Sequence, residues 1–174
     1  MRRLASLVAP CLVTAGCAGI MTPSGATAIA ELRDANGQPV GTATFTEVAG
    51  GVRIVLDARG LPPGVKGVHI HEVGQCEPPG FTSAGAHFNP GRRQHGLMNP
   101  QGPHAGDLPN ITIAPDGTGR LETMNERITL GADPNTLLDA NGSALVIHAA
   151  ADDFMTDPTG NTGARIACGP IVKR

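Results

Sequence analysis

Residues 67–107 read GVHIHEVGQCEPPGFTSAGAHFNPGRRQHGLMNPQGPHAGD, and the rest of the chain is organised around them. Five of the six histidines fall in this stretch, at positions 69, 71, 87, 95 and 104, and the sixth, His148, lies in SALVIHAAADD. Imidazole is the commonest protein ligand for zinc, copper, nickel and iron, so the cluster points to a metal site, with Asp107 beside it as a carboxylate donor. A lone histidine is more often a satisfied core or surface residue; five in one short stretch are not explained that way. The stretch also bears on the fold. A strand is expected over 65–73, followed by roughly 35 residues without periodicity, and so long a loop inside a compact domain is expected where it carries function.

On either side the chain reads as short strands. Residues 27–33 alternate weakly, Asn36-Gly37 is a hairpin signal, and GTATFTE over 41–47 alternates again. Gly50-Gly51 turns into VRIVLDA over 52–58, with Val52, Ile54 and Leu56 on one face and Arg53 and Asp57 on the other. Strands are further expected over 110–114, 119–124, 143–149 and 165–172, with the Pro115-Asp116-Gly117 turn between the first two. No segment has convincing helical periodicity, and no internal repeat is visible. Eight short strands imply an all-β domain, an antiparallel barrel or sandwich.

Composition agrees. The chain has 174 residues, enough for one domain with a real core, and its 24 Gly and 15 Pro punctuate it often. With four Phe and no Trp or Tyr, the core must be mostly Val, Ile, Leu and Ala. Thirteen basic against fifteen acidic residues leave the charge near neutral, so neither nucleic acid nor an anionic membrane surface is implied as a partner.

The N-terminus reads as an address. Met1-Arg2-Arg3 supplies a positive start and residues 4–15 an apolar run too short to span a bilayer. It ends in VTAGCA over 13–18, which is similar to the lipobox of bacterial lipoproteins, with Thr14 where that motif usually carries Leu. Acylation would fall on Cys17; the alternative is an ordinary cleaved signal peptide. The expected organisation is a signal segment over 1–17, a flexible tether over 18–26 and one domain over 27–174, exported to the outer face of the cell membrane, the periplasm or the exterior. Cys11 leaves with the signal, so Cys76 and Cys168 remain as an even pair in an exported chain, where disulfides persist. A bond between them closes most of the domain into a loop, which stabilises by roughly 4–5 kcal/mol in the chain-entropy account. Two free thiols or a pair of zinc ligands are the other readings.

Spacing then constrains the chemistry. His69 and His71, two apart on a strand, point to one face and can grip one ion, and His148 on another strand can complete the grip from across the sheet. The loop offers His87, His95, His104 and Asp107. Two four-coordinate ions need eight donor places and these are seven residues; the deficit vanishes if one imidazole bridges both ions through its two nitrogens. An all-imidazole site suits copper, and three nitrogens with a carboxylate suit structural zinc, although counting permits other divisions.

GVHIHE, SAGAHFNP, HAGDLPN and the C-terminal GNTGARIACGPI, together with the histidine spacing, resemble the copper/zinc superoxide dismutases over about 27–172, and the long segment CEPPGFTSAG between Val73 and His87 resembles their bacterial exported branch. The resemblance implies an eight-stranded Greek-key barrel of the immunoglobulin-like sandwich architecture, in which copper/zinc superoxide dismutase is a known example. It also implies one copper and one zinc per subunit. His69, His71, His87 and His148 correspond to the copper ligands, and His87, His95, His104 and Asp107 to the zinc ligands, with His87 as the bridge. Cys76 and Cys168 match the family's disulfide, Arg165 the guanidinium that receives the anion, and Asp152 the carboxylate linking a copper histidine (His69) to a zinc histidine (His95). The implied reaction is a two-step cycle in which one superoxide reduces copper and leaves as dioxygen, and a second reoxidises it and leaves as hydrogen peroxide. The bridging histidine carries a proton between the steps.

The chain departs from the cytosolic eukaryotic forms between His148 and Arg165. Thr159 is kept, but Pro158 stands where those forms carry a steering lysine, and Phe154 and Met155 replace their paired glutamates. A weaker guiding field is expected, or one supplied by Lys66 or by Arg92 and Arg93. Some related bacterial proteins have lost a metal ligand and the activity with it; none is missing here. The rival class is an exported copper- and zinc-buffering protein without turnover, which needs neither Arg165 nor Asp152. A zinc-stabilised structural domain would leave the four-histidine cluster unused. A homodimer stays open, because an interface on a barrel face carries no motif.

Overall fold

The structure, a computed structural model, describes residues 25–174. The signal segment over 1–17, with Cys11 and Cys17, and most of the tether lie outside the described residues. Nine strands follow one another: β1 (Thr27–Asp34), β2 (Pro39–Val48), β3 (Gly51–Ala58), β4 (Gly64–Lys66), β5 (Val68–His71), β6 (Ile111–Ile113), β7 (Gly119–Asn125), β8 (Ser143–His148) and β9 (Arg165–Lys173). The one helical element among the described residues is a 3-10 turn, Thr82–Ala84.

The count is nine rather than eight because the expected strand over 65–73 changes partner at Gly67. β4 pairs with β6, whereas β5 pairs with β8. Gly67 itself bonds to the neighbouring chain in both directions, donating to Ala150 O at 2.8 Å and accepting from His148 N at 2.9 Å.

Seven strands form one antiparallel sheet in the order β5-β8-β9-β1-β2-β3-β7. The sheet curls so that its ends are joined by the β4–β6 pair: β4 runs into β5 through Gly67, and β6 lies beside β7. The β3–β4 and β7–β8 connections cross from one end of the order to the other, which makes the antiparallel barrel a Greek key.

Alternation fills the barrel. Val52, Ile54 and Leu56 of β3, Ala28, Ala30 and Leu32 of β1, and Leu145 and Ile147 of β8 are all fully buried. Burying one such Leu or Ile stabilises by about 1.5–3 kcal/mol, and Leu56→Ala in this cluster costs about 2–5 kcal/mol. β8 is buried on both faces. Its outward residues Ala144 and Val146 pack with Phe81, Ala84 and Cys168 beneath the loop that follows β5. That loop is fastened there by a disulfide between Cys76 and Cys168, so the pairing expected from the cysteine count is present.

Candidate metal centre

Strand alternation places the first donors. On β5, Val68 and Ile70 enter the barrel core, so His69 and His71 must face outward. In the β5–β8 register His69 lies opposite Val146 and His71 opposite Ala144, the two outward residues of β8, and His148 continues that face. Alternation alone therefore gathers three imidazoles.

The long loop brings the others by using the free edge of β5. Phe88 N donates to Ile70 O at 2.8 Å, Ile70 N to Gly106 O at 2.9 Å, and Gly106 N to Phe88 O at 2.8 Å. These bonds set His87 beside His71 and Asp107 beside His69 in isolated bridges. Position 106 must be glycine, because a Cβ there would stand 2.3 Å from Ile70 O.

The donors fall into two overlapping groups, the second of which joins His69 and His87 to His95 and Asp107, with His104 alongside. His69, His71, His87 and His148 form a buried set whose ligand atoms lie within 4.8 Å of one another. Beside it, the Nδ1 atoms of His87, His95 and His104 stand 3.1, 3.1 and 3.2 Å from Asp107 Oδ1. Its other oxygen accepts Gly96 N at 2.9 Å and His104 N at 3.0 Å, which fixes the carboxylate in the loop.

The outer partners decide the tautomers. Asp152 lies across His69 and His95, its Oδ2 2.6 Å from His69 Nε2 and its Oδ1 3.0 Å from His95 Nε2. His71 Nδ1 donates to Gly85 O at 2.9 Å and His148 Nδ1 to Gly163 O at 3.3 Å. Carbonyls and carboxylates only accept, so each of these nitrogens carries a hydrogen, and in the neutral rings of His69, His71 and His148 the other nitrogen presents a lone pair. These three lone pairs face inward. His69 Nδ1 and His87 Nε2 are buried without any hydrogen-bond partner, and His71 Nε2 and His148 Nε2 face each other at 3.5 Å. Around Asp107 Oδ1 the three Nδ1 atoms of His87, His95 and His104 crowd a single carboxylate oxygen. Such an arrangement is unfavourable in itself and is what a cation between the donors would satisfy, so the residues fit copper and zinc.

Burial keeps the rings of the four-histidine set neutral. It is the largest influence on His71, His148 and His87, lowered to about 2, 3 and 4, with neighbouring imidazoles adding to it. His69 is also pushed down by burial, against Asp152. His95 behaves oppositely: burial opposes its charge, but the hydrogen bonds with Asp107 and Asp152 prevail and raise it to about 9. Burial works against ionised Asp107 and Asp152 too, and their histidine partners nonetheless hold both far below the ordinary carboxylate range.

The centre opens into a cleft of about 750 Å³ whose lining includes His71, His87, His148, Arg93, Thr159 and Arg165. Arg165 is half-buried and donates Nη1 to Phe81 O at 2.6 Å and Nη2 to Gly85 O at 2.7 Å. Lys66 does not supply charge here: it is 8% exposed and its Nζ donates to Ala149 O at 2.7 Å. Arg92 is exposed outside the lining, which leaves Arg93 as the loop cation in the cleft.

Sequence reasoning missed several supports. Asn110 pairs with the Asp152 peptide through both side-chain atoms, at 2.9 Å each, and Asp157 Oδ1 accepts His95 N at 2.6 Å. Asn110 ends the motif HAGDLPN, which is the one signal of it in the chain, and the carbonyls of Gly85 and Gly163 leave no signal in a sequence. Gly160 is a further support, since a Cβ there would meet Asp152 Oδ1 at 2.0 Å.

Fold and site together define a Greek-key barrel built to carry metal ions against one sheet edge. Comparison with known proteins gives the family. The family model for copper/zinc superoxide dismutase (SODC) matches residues 40–171. Cu-Zn superoxide dismutase 2 of Aquifex aeolicus is 49% identical over 144 residues, 82% of this chain and 84% of the relative. Cu-Zn superoxide dismutase of Caulobacter vibrioides is 44% identical over 148 residues, 83% of this chain and 84% of that one. The crystal structure of a SOD-like protein from Bacillus subtilis superposes with a TM-score of 0.80 at 40% identity, covering 83% of this chain and 97% of that one. The chain belongs to the copper/zinc superoxide dismutase family. It is a superoxide dismutase with copper and zinc as cofactors, and the curated relatives at 44–49% identity carry the enzyme's name.

Proposed function

We propose that His69, His71, His87 and His148 hold the copper and that His87, His95, His104 and Asp107 hold the zinc, with His87 shared. One observation carries this reading: the hydrogens of His69, His71 and His148 are committed to outer acceptors and their lone pairs converge with that of His87, while His87, His95 and His104 all turn Nδ1 to Asp107 Oδ1.

The enzyme turns two superoxide anions and two protons into dioxygen and hydrogen peroxide. When bound, copper supplies the one-electron couple by cycling between Cu(II) and Cu(I), and zinc, which has no redox chemistry, supplies a fixed charge. Arg165 receives the anion. Its guanidinium is always cationic, and its bonds to two carbonyls fix its donors beside His71 and His148. His87 Nε2, buried and unpartnered on the copper side, is the atom at which a proton is held between the two halves of the reaction. Asp152 keeps the hydrogens of His69 and His95 on their outer nitrogens, so neither ring can turn.

The same reading places the enzyme outside the cytoplasm, tethered by a lipid on Cys17. The charged start, short apolar run and VTAGCA support it, as does the even cysteine pair. One relative, 37% identical over 156 residues, is an extracellular Cu-Zn superoxide dismutase from Brugia pahangi. All seven donor residues come from one chain, so a homodimer is not needed to complete the centre.

Metal analysis of two variants tests the ligand reading. His148→Ala should lose copper and dismutation and keep zinc; Asp107→Ala should lose zinc first. Full copper in His148→Ala, or full zinc in Asp107→Ala, would reject the division of ligands.

A further inference from the structure

The turn carrying His104 and Asp107 is held from two sides, and the dismutase ligand set accounts for only one of them. On the β5 side, Gly106 accepts Ile70 N at 2.9 Å. On the other side, the carbonyls of Ala105 and Asp107 are taken by residues at and just beyond the end of β7. Ala105 O accepts Asn125 Nδ2 at 2.8 Å, and Asp107 O accepts Arg127 Nη2 at 3.4 Å.

Neither partner is an ordinary surface residue. Asn125 ends β7 opposite Val52 of β3 and is 1% exposed. Its Oδ1 accepts Arg127 N at 2.9 Å, so the amide is oriented from both ends. Arg127 is half-buried, with Nε enclosed and unpartnered, and its charge lies near the Asp107 carboxylate. A buried amide and a partly buried cation are costly to keep at a β-strand end unless something uses them.

We propose that Asn125 and Arg127 are positioning residues for zinc: a bracket from the barrel wall that holds the 104–107 turn, and with it the 3.2 Å approach of His104 Nδ1 to Asp107 Oδ1. Their function is to slow zinc release by preventing the turn from peeling away from β7. The inference rests on the reading of His104 and Asp107 as zinc ligands.

The test is the rate at which zinc passes from the copper- and zinc-loaded full-length exported protein to a chromophoric chelator, alongside the visible spectrum of cobalt(II) in the zinc position. Asn125→Asp removes the donor while keeping the shape and the acceptor; Arg127→Gln removes the charge. Zinc release should accelerate about 10- to 100-fold in Asn125→Asp and several-fold in Arg127→Gln, with an altered cobalt spectrum and unchanged copper release. If Asn125→Asp does not fold, Arg127→Gln decides alone. Release within twofold of the parent, with an unaltered cobalt spectrum, overturns the bracket. Asp107→Ala separates the two readings: if it loses zinc while the bracket variants do not, only the bracket fails, and if it keeps zinc, the ligand reading fails first.

Discussion

Arg165 and His71 share one acceptor: the Gly85 carbonyl receives Nη2 of the first at 2.7 Å and Nδ1 of the second at 2.9 Å. The guanidinium proposed to receive the anion and an imidazole of the four-histidine set are thus set by the same peptide, and neither can shift without the other feeling it. Lysine at 165 would keep the charge but could not span Phe81 O and Gly85 O with a planar fork. Arg165→Lys should lower kcat/KM for superoxide by about tenfold, ~1.4 kcal/mol. Metal content should be unchanged. Steady-state dismutation with parallel metal analysis checks this, and parental activity would show that charge alone suffices.

Asp152 is the link between the two halves of the centre. An amide at this position has one oxygen, so it cannot accept from both His69 Nε2 and His95 Nε2. Asp152→Asn should therefore weaken zinc binding by about 10–100-fold and copper binding less. Competition against chelators of known affinity measures both. Equal retention of zinc would mean that the ring orientations are fixed by packing.

Arg93 is the loop cation that lines the cleft, and its Nη2 already donates to Gly102 O at 2.8 Å. Pro158 also lines the cleft, so among the described residues the cations in its lining are Arg93 and Arg165. Association should be slower than in the cytosolic eukaryotic forms, and Arg93→Glu should reduce it further by about threefold to tenfold at low salt, an effect that fades as ionic strength rises. Pulse radiolysis across a salt series reads this directly. A near-diffusion-limited parent with strong salt dependence would contradict it.

The metal-free protein should be least stable in acid. The folded values of His71, His87 and His148 lie near 2, 4 and 3, below the ordinary 6.5, so the unfolded chain binds more protons than the folded one in this window. Their contribution is complete above about pH 6.5 and is lost as pH falls toward the folded values. His95, raised to about 9, has the opposite sign: its contribution is present below 6.5 and is lost as pH rises through about 9. Urea unfolding of the metal-free protein should give a maximum between these limits. Stability that increased on acidification from pH 6.5 would refute the assignment.

Much of this was legible in the chain. Alternation in VHIH and SALVIH by itself puts His69, His71 and His148 on one face, because side chains on a strand repeat every second residue. The cysteine count anticipated the disulfide. Strand boundaries were less legible: Gly67 reads as the interior of one strand, and only the change of partner from β6 to β8 divides it.

What tertiary structure alone decided concerns groups with no local pattern. Residues 72–110 have no periodicity, and their course is set by backbone bonds from Ile70 to Phe88 and Gly106, along an edge that exists only once the sheet has formed. The acceptors of His71 and His148 are the main-chain oxygens of Gly85 and Gly163, which every residue type possesses. Asn110, Asn125 and Arg127 act on positions 42, 20 and 20 residues away. The cation of the cleft likewise could not be chosen from sequence, since Lys66 and Arg93 differ in burial rather than in charge. The sequence by itself determined which chemical groups could bind metal and which strand faces carry them. Their hydrogen placement, and therefore which nitrogen is free to bind, came from long-range contacts that only the closed barrel creates.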